Sequence, residues 1–312
     1  MQARVLADRK ELKQEQWLEL RRQGIGGSDA GAIMGLSSFS SAFTVYAEKI
    51  GIRKPQEPTE AMRIGTDLEA YVAQRFMEAT GKKVKNCNYV LQHPDHDWMI
   101  ADVDRLVVGE DAGLECKTTS AFNKTNFERA DIPPQYYAQC VHYMAVTGAK
   151  KWYIAILVLG VGFYYFCIER NEEEIKALIE LERAFWFDNV LSYTEPEVDG
   201  KPQTSAVINE MYIAVDNSTV DLMPHADILD RYSELNAQID KLNEEKELIK
   251  QQLQVYMANS TEGYTGTYKV TWRNQERSVL DSKRLQLEHP EIYNQYLKKS
   301  YSRPFKITKK EA

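Results

Sequence analysis

The sequence lacks the features that would place it in a membrane, in a disulfide scaffold or around a thiolate-bound metal. No apolar run approaches the ~18 residues that a membrane-spanning helix needs. The longest candidate, residues 153–161, is short and suits a buried strand. Residues 1–13 are polar and charged, without the apolar stretch of a secretion signal, so a cytoplasmic address is expected. Four cysteines (Cys87, Cys116, Cys140, Cys167) include no CxxC pair. That spacing excludes a closely spaced iron–sulfur ligand set and suits buried free thiols better than disulfides. The one close histidine pair, His93 and His96, lies in a Pro/Asp-containing turn and offers too few ligands for zinc. Internal repeats and low-complexity tracts are absent. An excess of positive charge is also lacking: 39 Lys and Arg stand against 46 Asp and Glu, a net charge of −7. A nucleic-acid partner would therefore be met by local clusters: Arg21-Arg22, Lys82-Lys83 with Lys85, and the C-terminal Lys298-Lys299, Arg303, Lys306 and Lys309-Lys310.

What is present is an ordinary folded composition, 43% hydrophobic and 27% charged over 312 residues, enough for one sizeable core and a smaller second unit. Helical spacing covers residues 11–23 and 42–50. Ser28-Asp29 reads as the cap of a short helix to Met34, and Met62, Leu68, Val72 and Phe76 mark a longer one over 59–80, stopped by Gly81. Strand-like pieces follow at 84–91, 98–101, 103–108 and 113–118. Pro133-Pro134 then opens a helix to Gly148, and 151–159 with 163–168 form a hairpin about Gly160-Val161-Gly162. A helix over 172–191 closes the series. The expected architecture is α/β, a mixed sheet flanked by helices, in a domain spanning 1–193.

Residues 194–205, with two prolines and a glycine, read as a linker to a second unit over 206–312. There Ile228, Tyr232, Leu235, Ile239, Leu242, Lys246, Ile249, Leu253 and Tyr256 fall at alternating steps of four and three, a heptad seam broken once by Lys246. Two readings stand side by side: an antiparallel helical hairpin packed on its own unit, or self-association. Strand spacing at 264–272 and 302–308 and helical spacing at 282–287 and 291–298 complete a unit with a small β element.

The chemistry concentrates in Ala101-Asp102-Val103-Asp104-Arg105-Leu106 and Gly113-Leu114-Glu115-Cys116-Lys117-Thr118. Residues two apart share a strand face, so Glu115 and Lys117 project together. In a simple hairpin register Asp104 stands opposite Lys117, with Glu115 one diagonal away at ~7–8 Å. Two carboxylates and a lysine then meet on a patch expected to face solvent. Carboxylate oxygens suit Mg²⁺, a bound cation lowers the pKa of water and stabilises charge on a phosphate, and a lysine orients the attacking water or stabilises that charge. Asp102 lies on the same strand face and is the alternative to Asp104. A surface hairpin with a salt-bridged Glu115–Lys117 pair is the plain alternative.

Further pieces accompany these in order: Trp17-x-x-x-Arg21, Ile25-Gly26-Gly27-Ser28-Asp29, Gly65-x-x-x-Glu69, and Tyr137-Ala138-Gln139 with Tyr143. Together, over residues 17–191, they resemble the lambda exonuclease/YqaJ viral recombinase family of phage nucleases. The resemblance implies a restriction-endonuclease-like PD-(D/E)xK core with Asp104 and Glu115 as metal ligands, helped by the backbone carbonyl of Cys116. It implies Lys117 as the catalytic lysine, Glu69 beside a second metal, and Gln139 near the substrate phosphate or the water. Arg21 and Ser28 match positions that hold the 5′-phosphate of a DNA end. A guanidinium forks onto phosphate, and a hydroxyl at a helix N-terminus adds a favourable dipole. The family often has Pro-Asp-Gly where this chain has Val103-Asp104-Arg105. The implied activity is Mg²⁺-dependent exonuclease action on linear duplex DNA, 5′ to 3′, with Mn²⁺ a possible substitute. The implied setting is phage recombination in a bacterial host, beside a single-strand annealing protein, in ring-shaped homo-oligomers that are often trimers. An endonuclease with the same core and a non-catalytic DNA-binding adaptor are the alternatives.

Overall fold

The computed structural model describes residues 3–53, 58–123, 127, 131–298 and 302–309. Contacts divide the chain into two compact units, Met1–Tyr212 and Ile213–Ala312.

In the first unit, helices α1 (Gln14–Arg22), α2 (Gly27–Ile33), α3 (Ala42–Lys49) and α4 (Glu60–Thr80) come early. Thr59 caps α4 by accepting the Met62 amide, and Gly81 ends it at φ +71°, which glycine adopts without penalty. A five-stranded mixed sheet follows, in the order β2 (Val84–Asn86), β5 (Arg105–Val107), β6 (Ala112–Thr119), β7 (Lys151–Val158), β8 (Gly162–Glu169). Only the β6–β7 pair is parallel. Its crossover carries α5 (Pro134–Thr147), as a parallel connection requires. Strand β7, KWYIAILV, is apolar along nearly its whole length because both faces are covered.

One core lies on each face. Val72, Ala73 and Phe76 of α4 pack with Leu114, Tyr153 and Ala155. On the other face, Trp152, Ile154 and Ile156 pack with α5, which is buried from Ala138 to Thr147. Helix α6 (Glu172–Ala184) backs α5 and runs on as a wide π turn, Phe185–Val190.

The structure differs from the sequence reading in several places. Strand β1 (Arg4–Asp8) was not expected; it pairs with β3 (Tyr89–Gln92), which pairs with β4 (Ile100–Asp102), in a separate antiparallel sheet. The single strand expected over 84–91 is thus two strands in two sheets. The expected linker is also part of the first unit. Pro202 opens helix α7 (Pro202–Met211), whose Val207 packs with Phe43 and Ala47, while Lys201 donates to the carbonyls of Gly35 and Ser37 and Thr204 to Ser41. Proline suits a first helical turn as well as it suits a linker, and the boundary moves to Tyr212.

The second unit contains helix α8 (Ala226–Met257), a two-stranded β9 (Glu262–Tyr264) and β10 (Lys269–Thr271), and two short helices, Ser282–Glu288 and Pro290–Tyr296. The expected helical hairpin is one continuous helix of 32 residues. No strand forms over 302–308.

Candidate active site

Glu115 and Lys117 do share a face of β6, and it is the face that α5 covers: Glu115 lies beside Ile154 of β7, in the α5 core. The hairpin register differs from the simple one. Arg105 pairs with Leu114 and Leu106 with Gly113, which carries Asp104 alongside Glu115 rather than Lys117. A shift of two keeps every side chain on its face and changes only its neighbour. The Cys116 amide fixes the result by donating to Asp104 Oδ2 at 2.8 Å.

The expected solvent-facing patch holds in part: Asp104 and Lys117 are half-buried, whereas Glu115 is buried. Glu115 is 3% exposed and Gln139 6%, because α5 lies over this face of the sheet and α2 packs on α5. Two glycines allow that closeness. A Cβ on Gly27 would meet the Tyr143 ring at 2.5 Å, and one on Gly31 would meet Gln135 at 2.8 Å. Gln139 Nε2 donates to Glu115 Oε1 and to the Tyr143 hydroxyl, each at 2.8 Å. Lys117 Nζ sits 2.6 Å from the same Glu115 oxygen and 5.1 Å from the Tyr136 ring centre.

Glu115 Oε2 is buried and has no hydrogen-bond partner among the described residues. Burial, then the negative charges of Glu115 and Glu69, push the Asp104 carboxyl well above the usual carboxylate range. Burial works to strip the proton from Lys117, but Glu115 and Asp104 outweigh it and hold its pKa above the ordinary lysine value.

Asp102 is already engaged. Its Oδ2 accepts from Trp17 Nε1 at 3.0 Å and from Arg9 Nε at 3.2 Å. Glu69 is engaged too: it pairs at 2.5 Å with Arg105, which also donates to the Asp104 carbonyl. Its helix, α4, packs on the opposite face of β6 from Glu115. Glu69 therefore lies near Asp104 without joining it and Glu115, and no cluster of three metal-ligating side chains occurs among the described residues.

Arg21 and Ser28 are brought to the same place. A cavity of about 160 Å³ is lined by Trp17, Arg21, Ser28, Asp104, Glu115 and Gln139, among others. Arg21 donates to Ser28 Oγ at 3.1 Å and lies over the Trp17 ring, whose centre is also 4.5 Å from the Arg9 guanidinium. The helix carrying Ser28 starts two residues earlier than the sequence indicated. Gly26 is its cap residue, and Asp29 accepts the Gly26 amide at 2.9 Å. Asp29 also holds Lys49 Nζ at 2.6 Å and lies 3.6 Å from Arg21. Burial would raise the Asp29 carboxyl, but Lys49 and Arg21 outweigh it and keep its pKa below the usual value.

Sequence reasoning missed the Arg9–Trp17–Asp102 cluster and the buried pair His142–Glu182. His142 Nδ1 lies 2.8 Å from Glu182 and its Nε2 lies 2.9 Å from the Ile100 carbonyl, tying α5 and α6 to β4. A polar residue on the buried side of two successive helices was the available signal.

The family model for the YqaJ-like viral recombinase domain matches residues 16–150, which include Arg21, Ser28, Glu69, Asp102, Asp104, Glu115, Lys117 and Gln139. The protein YqaJ of Bacillus subtilis (strain 168) is 34% identical over 310 residues, 98% of this chain and 97% of that protein. The chain belongs to the YqaJ-like viral recombinase family. Among solved structures, the alkaline exonuclease LHK-Exo of Laribacter hongkongensis superposes with a TM-score of 0.51 at 22% identity, covering 58% of this chain and 94% of its own. The same enzyme in complex with dAMP gives 0.50 at 20% identity over the same shares. The YqaJ-like chain thus shares the fold of that exonuclease, a mixed sheet flanked by helices.

Proposed function

We propose that this YqaJ-like protein is a divalent-cation-dependent deoxyribonuclease. In this reading it holds the 5′-phosphate of a linear duplex end and hydrolyses the adjoining phosphodiester, removing nucleotides 5′ to 3′ with Mg²⁺ or Mn²⁺. One observation carries the proposal: a single cavity is lined both by a guanidinium and a hydroxyl suited to a terminal phosphate, Arg21 and Ser28, and by the carboxylates Asp104 and Glu115. Its volume of about 160 Å³ has room for a phosphate group.

The donor set fits a cation. Two crowded carboxylates, one with a buried oxygen that has no partner among the described residues and the other with its pKa raised by burial and then by its neighbours' charge, are what a hard divalent ion would relieve. Asp104 and Glu115 would hold it, with the Cys116 carbonyl on the same strand as the expected third donor. When bound, such an ion supplies Lewis-acid stabilisation of charge on the phosphoryl oxygens. Lys117 stays protonated beside Glu115 and directs positive charge at the reacting phosphate or orients the water. Arg21, stacked on Trp17 and braced by Asp29, presents its fork to the terminal phosphate. Glu69, paired to Arg105, positions the Asp104 backbone rather than a second ion. An alkaline exonuclease of the same fold, solved also with dAMP, supports a nucleic-acid end as substrate.

The test uses linear duplexes labelled separately at each end, with 5′-phosphate or 5′-hydroxyl termini, in Mg²⁺ and in EDTA. Release should require the cation, start at 5′ ends and run faster from the phosphate. Arg21→Ala should shrink that preference about tenfold, the scale of one charge-assisted contact. Equal cutting of closed circular DNA would replace this reading with an endonuclease, and binding without release under any cation would replace it with an adaptor.

A further inference from the structure

Residues 258–312 invert the charge of the chain. They hold 11 Lys and Arg against 6 Asp and Glu, while residues 1–257 hold 28 against 40. Their aromatic side chains are also unlike Trp152 and Phe76, which are buried in the first unit. Tyr264, Tyr268, Trp272, Tyr296 and Phe305 are all exposed, from 45% at Trp272 to 89% at Phe305. Cations stand beside them in the chain: Lys269 follows Tyr268, Arg273 follows Trp272, Lys306 follows Phe305, and Lys298 lies two past Tyr296.

The hairpin of β9 and β10 shows how rings and cations are set together. Lys269 stands opposite Tyr264 in the register, and its Nζ lies 5.4 Å from the centre of that ring. Residues two apart share a strand face, so Thr271 and then Arg273 follow Lys269 on the same side. Glu262 lies 3.3 Å from Lys269, pairs also with Arg273 and accepts from the Tyr264 hydroxyl. One carboxylate thus holds a ring and two cations together, and the two cations leave that side positive. The opposite face is anchored, since Gly263 turns towards Met257 at the end of α8. Tyr268 and Trp272 flank the half-buried Val270 on that face and stay exposed.

We infer that this basic, ring-bearing part of the second unit is a binding site for single-stranded DNA. The local charge selects a polyanion, in a chain that is otherwise acidic. The exposed rings select one whose bases are unstacked, because every base has a π face and stacking adds to the backbone contact. In a duplex those faces already lie on one another, and binding runs through phosphates and groove edges. The choice of DNA over RNA rests on the nuclease reading, since digestion of one strand leaves the other unpaired. The site lies outside residues 16–150 and shares no residue with the cavity, so its binding needs neither a cation nor a 5′-phosphate.

The test uses the full chain in EDTA and the fluorescence anisotropy of labelled oligo(dT) with a 5′-hydroxyl. Oligo(dT) should bind more tightly than a blunt duplex of equal length and at least as tightly as oligo(U). Tyr264→Leu and Phe305→Leu should each weaken it about tenfold, the scale of one lost stack, whereas Tyr264→Phe and Phe305→Tyr should keep the affinity. Lys306→Gln with Lys309→Gln should reduce the slope of log affinity against log salt by about 1.4, at ~0.7 for each phosphate contact. Nucleotide release from short 5′-phosphorylated duplexes should survive the leucine substitutions. If no cation supports release at all, the nuclease reading fails and the binding result still stands. Leucine variants that bind like the wild type, or a duplex bound as tightly as oligo(dT), overturn the inference. So does loss of oligo(dT) binding in Arg21→Ala with the ring variants unaffected, which puts the single strand in the cavity. Oligo(U) bound more tightly than oligo(dT) overturns the choice of DNA.

Discussion

Replacing Gln139 with leucine separates two roles that the same side chain could play. Its Nε2 holds Glu115 Oε1 and the Tyr143 hydroxyl, each at 2.8 Å, inside the α5 core. Leucine keeps the volume and removes both bonds. Tyr143 retains the Asp102 carbonyl at 3.2 Å, and Glu115 Oε1 retains Lys117. The loss in stability is therefore that of one weakened buried polar set, about 1–3 kcal/mol, which a protein of this size survives. The functional cost follows from geometry. If Gln139 orients a cation-holding carboxylate, its loss should weaken cation affinity by about 10–100-fold, the usual effect of removing a partner of a metal ligand, which is about 1.4–2.7 kcal/mol.

The assay is nucleotide release from a 5′-phosphorylated duplex across a Mg²⁺ titration. The midpoint should move to 10–100-fold higher Mg²⁺, with the maximal rate largely restored at saturation (the scale again that of a ligand's partner). The resemblance places this residue near the substrate phosphate or the water, and that role predicts the opposite pattern: an unchanged midpoint and a lower plateau. A variant with both values unaltered would refute the reasoning, because Glu115 would then need no orienting partner.

Lys117→Met should abolish release and also lower the thermal midpoint, since Glu115 stays buried with its charge partner gone; calorimetry should find a loss of roughly 1–3 kcal/mol. Asp104→Asn should abolish release, whereas Asp102→Asn, already clamped by Arg9 and Trp17, should keep the rate within about tenfold; parallel rate measurements decide between them. Mg²⁺ at 100 times its dissociation constant should stabilise the wild type by about 2.7 kcal/mol in thermal unfolding and do little for Asp104→Asn. Burial drives the His142 pKa down, but Glu182 and the Ile100 carbonyl outweigh it and raise it above 6.5. A raised folded value contributes stability that is complete below pH 6.5 and is lost as pH rises through the folded pKa. Thermal midpoints of the wild type should therefore fall above pH 6.5, and those of His142→Gln should fall less.

Much of the site was legible because strand and helix periods fix faces. Glu115 and Lys117 had to project together, and Gln139 and Tyr143, four apart, had to share a face of α5. Register was not legible. Burial of one face excludes a slip of one residue but permits a slip of two, and only the turn about Gly109, at φ +82°, decides it. The choice between Asp102 and Asp104 had the same defect, since both occupy one face. What distinguishes them in the structure is that Asp102 is bonded by Arg9, 93 residues away, and Trp17, 85 away, which no local pattern could supply. The extent of the first unit was misjudged at Pro202, because a proline marks a helix start and a linker equally well.

Burial of the site was the least legible feature, and it comes from the packing that brings Arg21 and Ser28 to Asp104 and Glu115. Arg21 and Ser28 belong to α1 and α2, and Asp104 and Glu115 to a hairpin some 80 residues later, so nothing local forces them to meet. They meet because Gly27 admits the Tyr143 ring and Gly31 admits Gln135, which lets α2 lie close on α5. The Ile25 amide and carbonyl then bond Trp98 and Ile100, fastening the segment before α2 to the strand that leads into Asp104. The same closeness desolvates Asp104 and Glu115 and leaves one carboxylate oxygen without a partner. An unpaired buried polar atom costs about 1–3 kcal/mol, so the packing that gathers Arg21 and Ser28 with the two carboxylates also costs stability. A fold serving stability alone would place a small apolar side chain at residue 115. An acid there, with Lys117 and Gln139 on one of its oxygens and no partner for the other among the described residues, is the arrangement that the proposed cation would relieve.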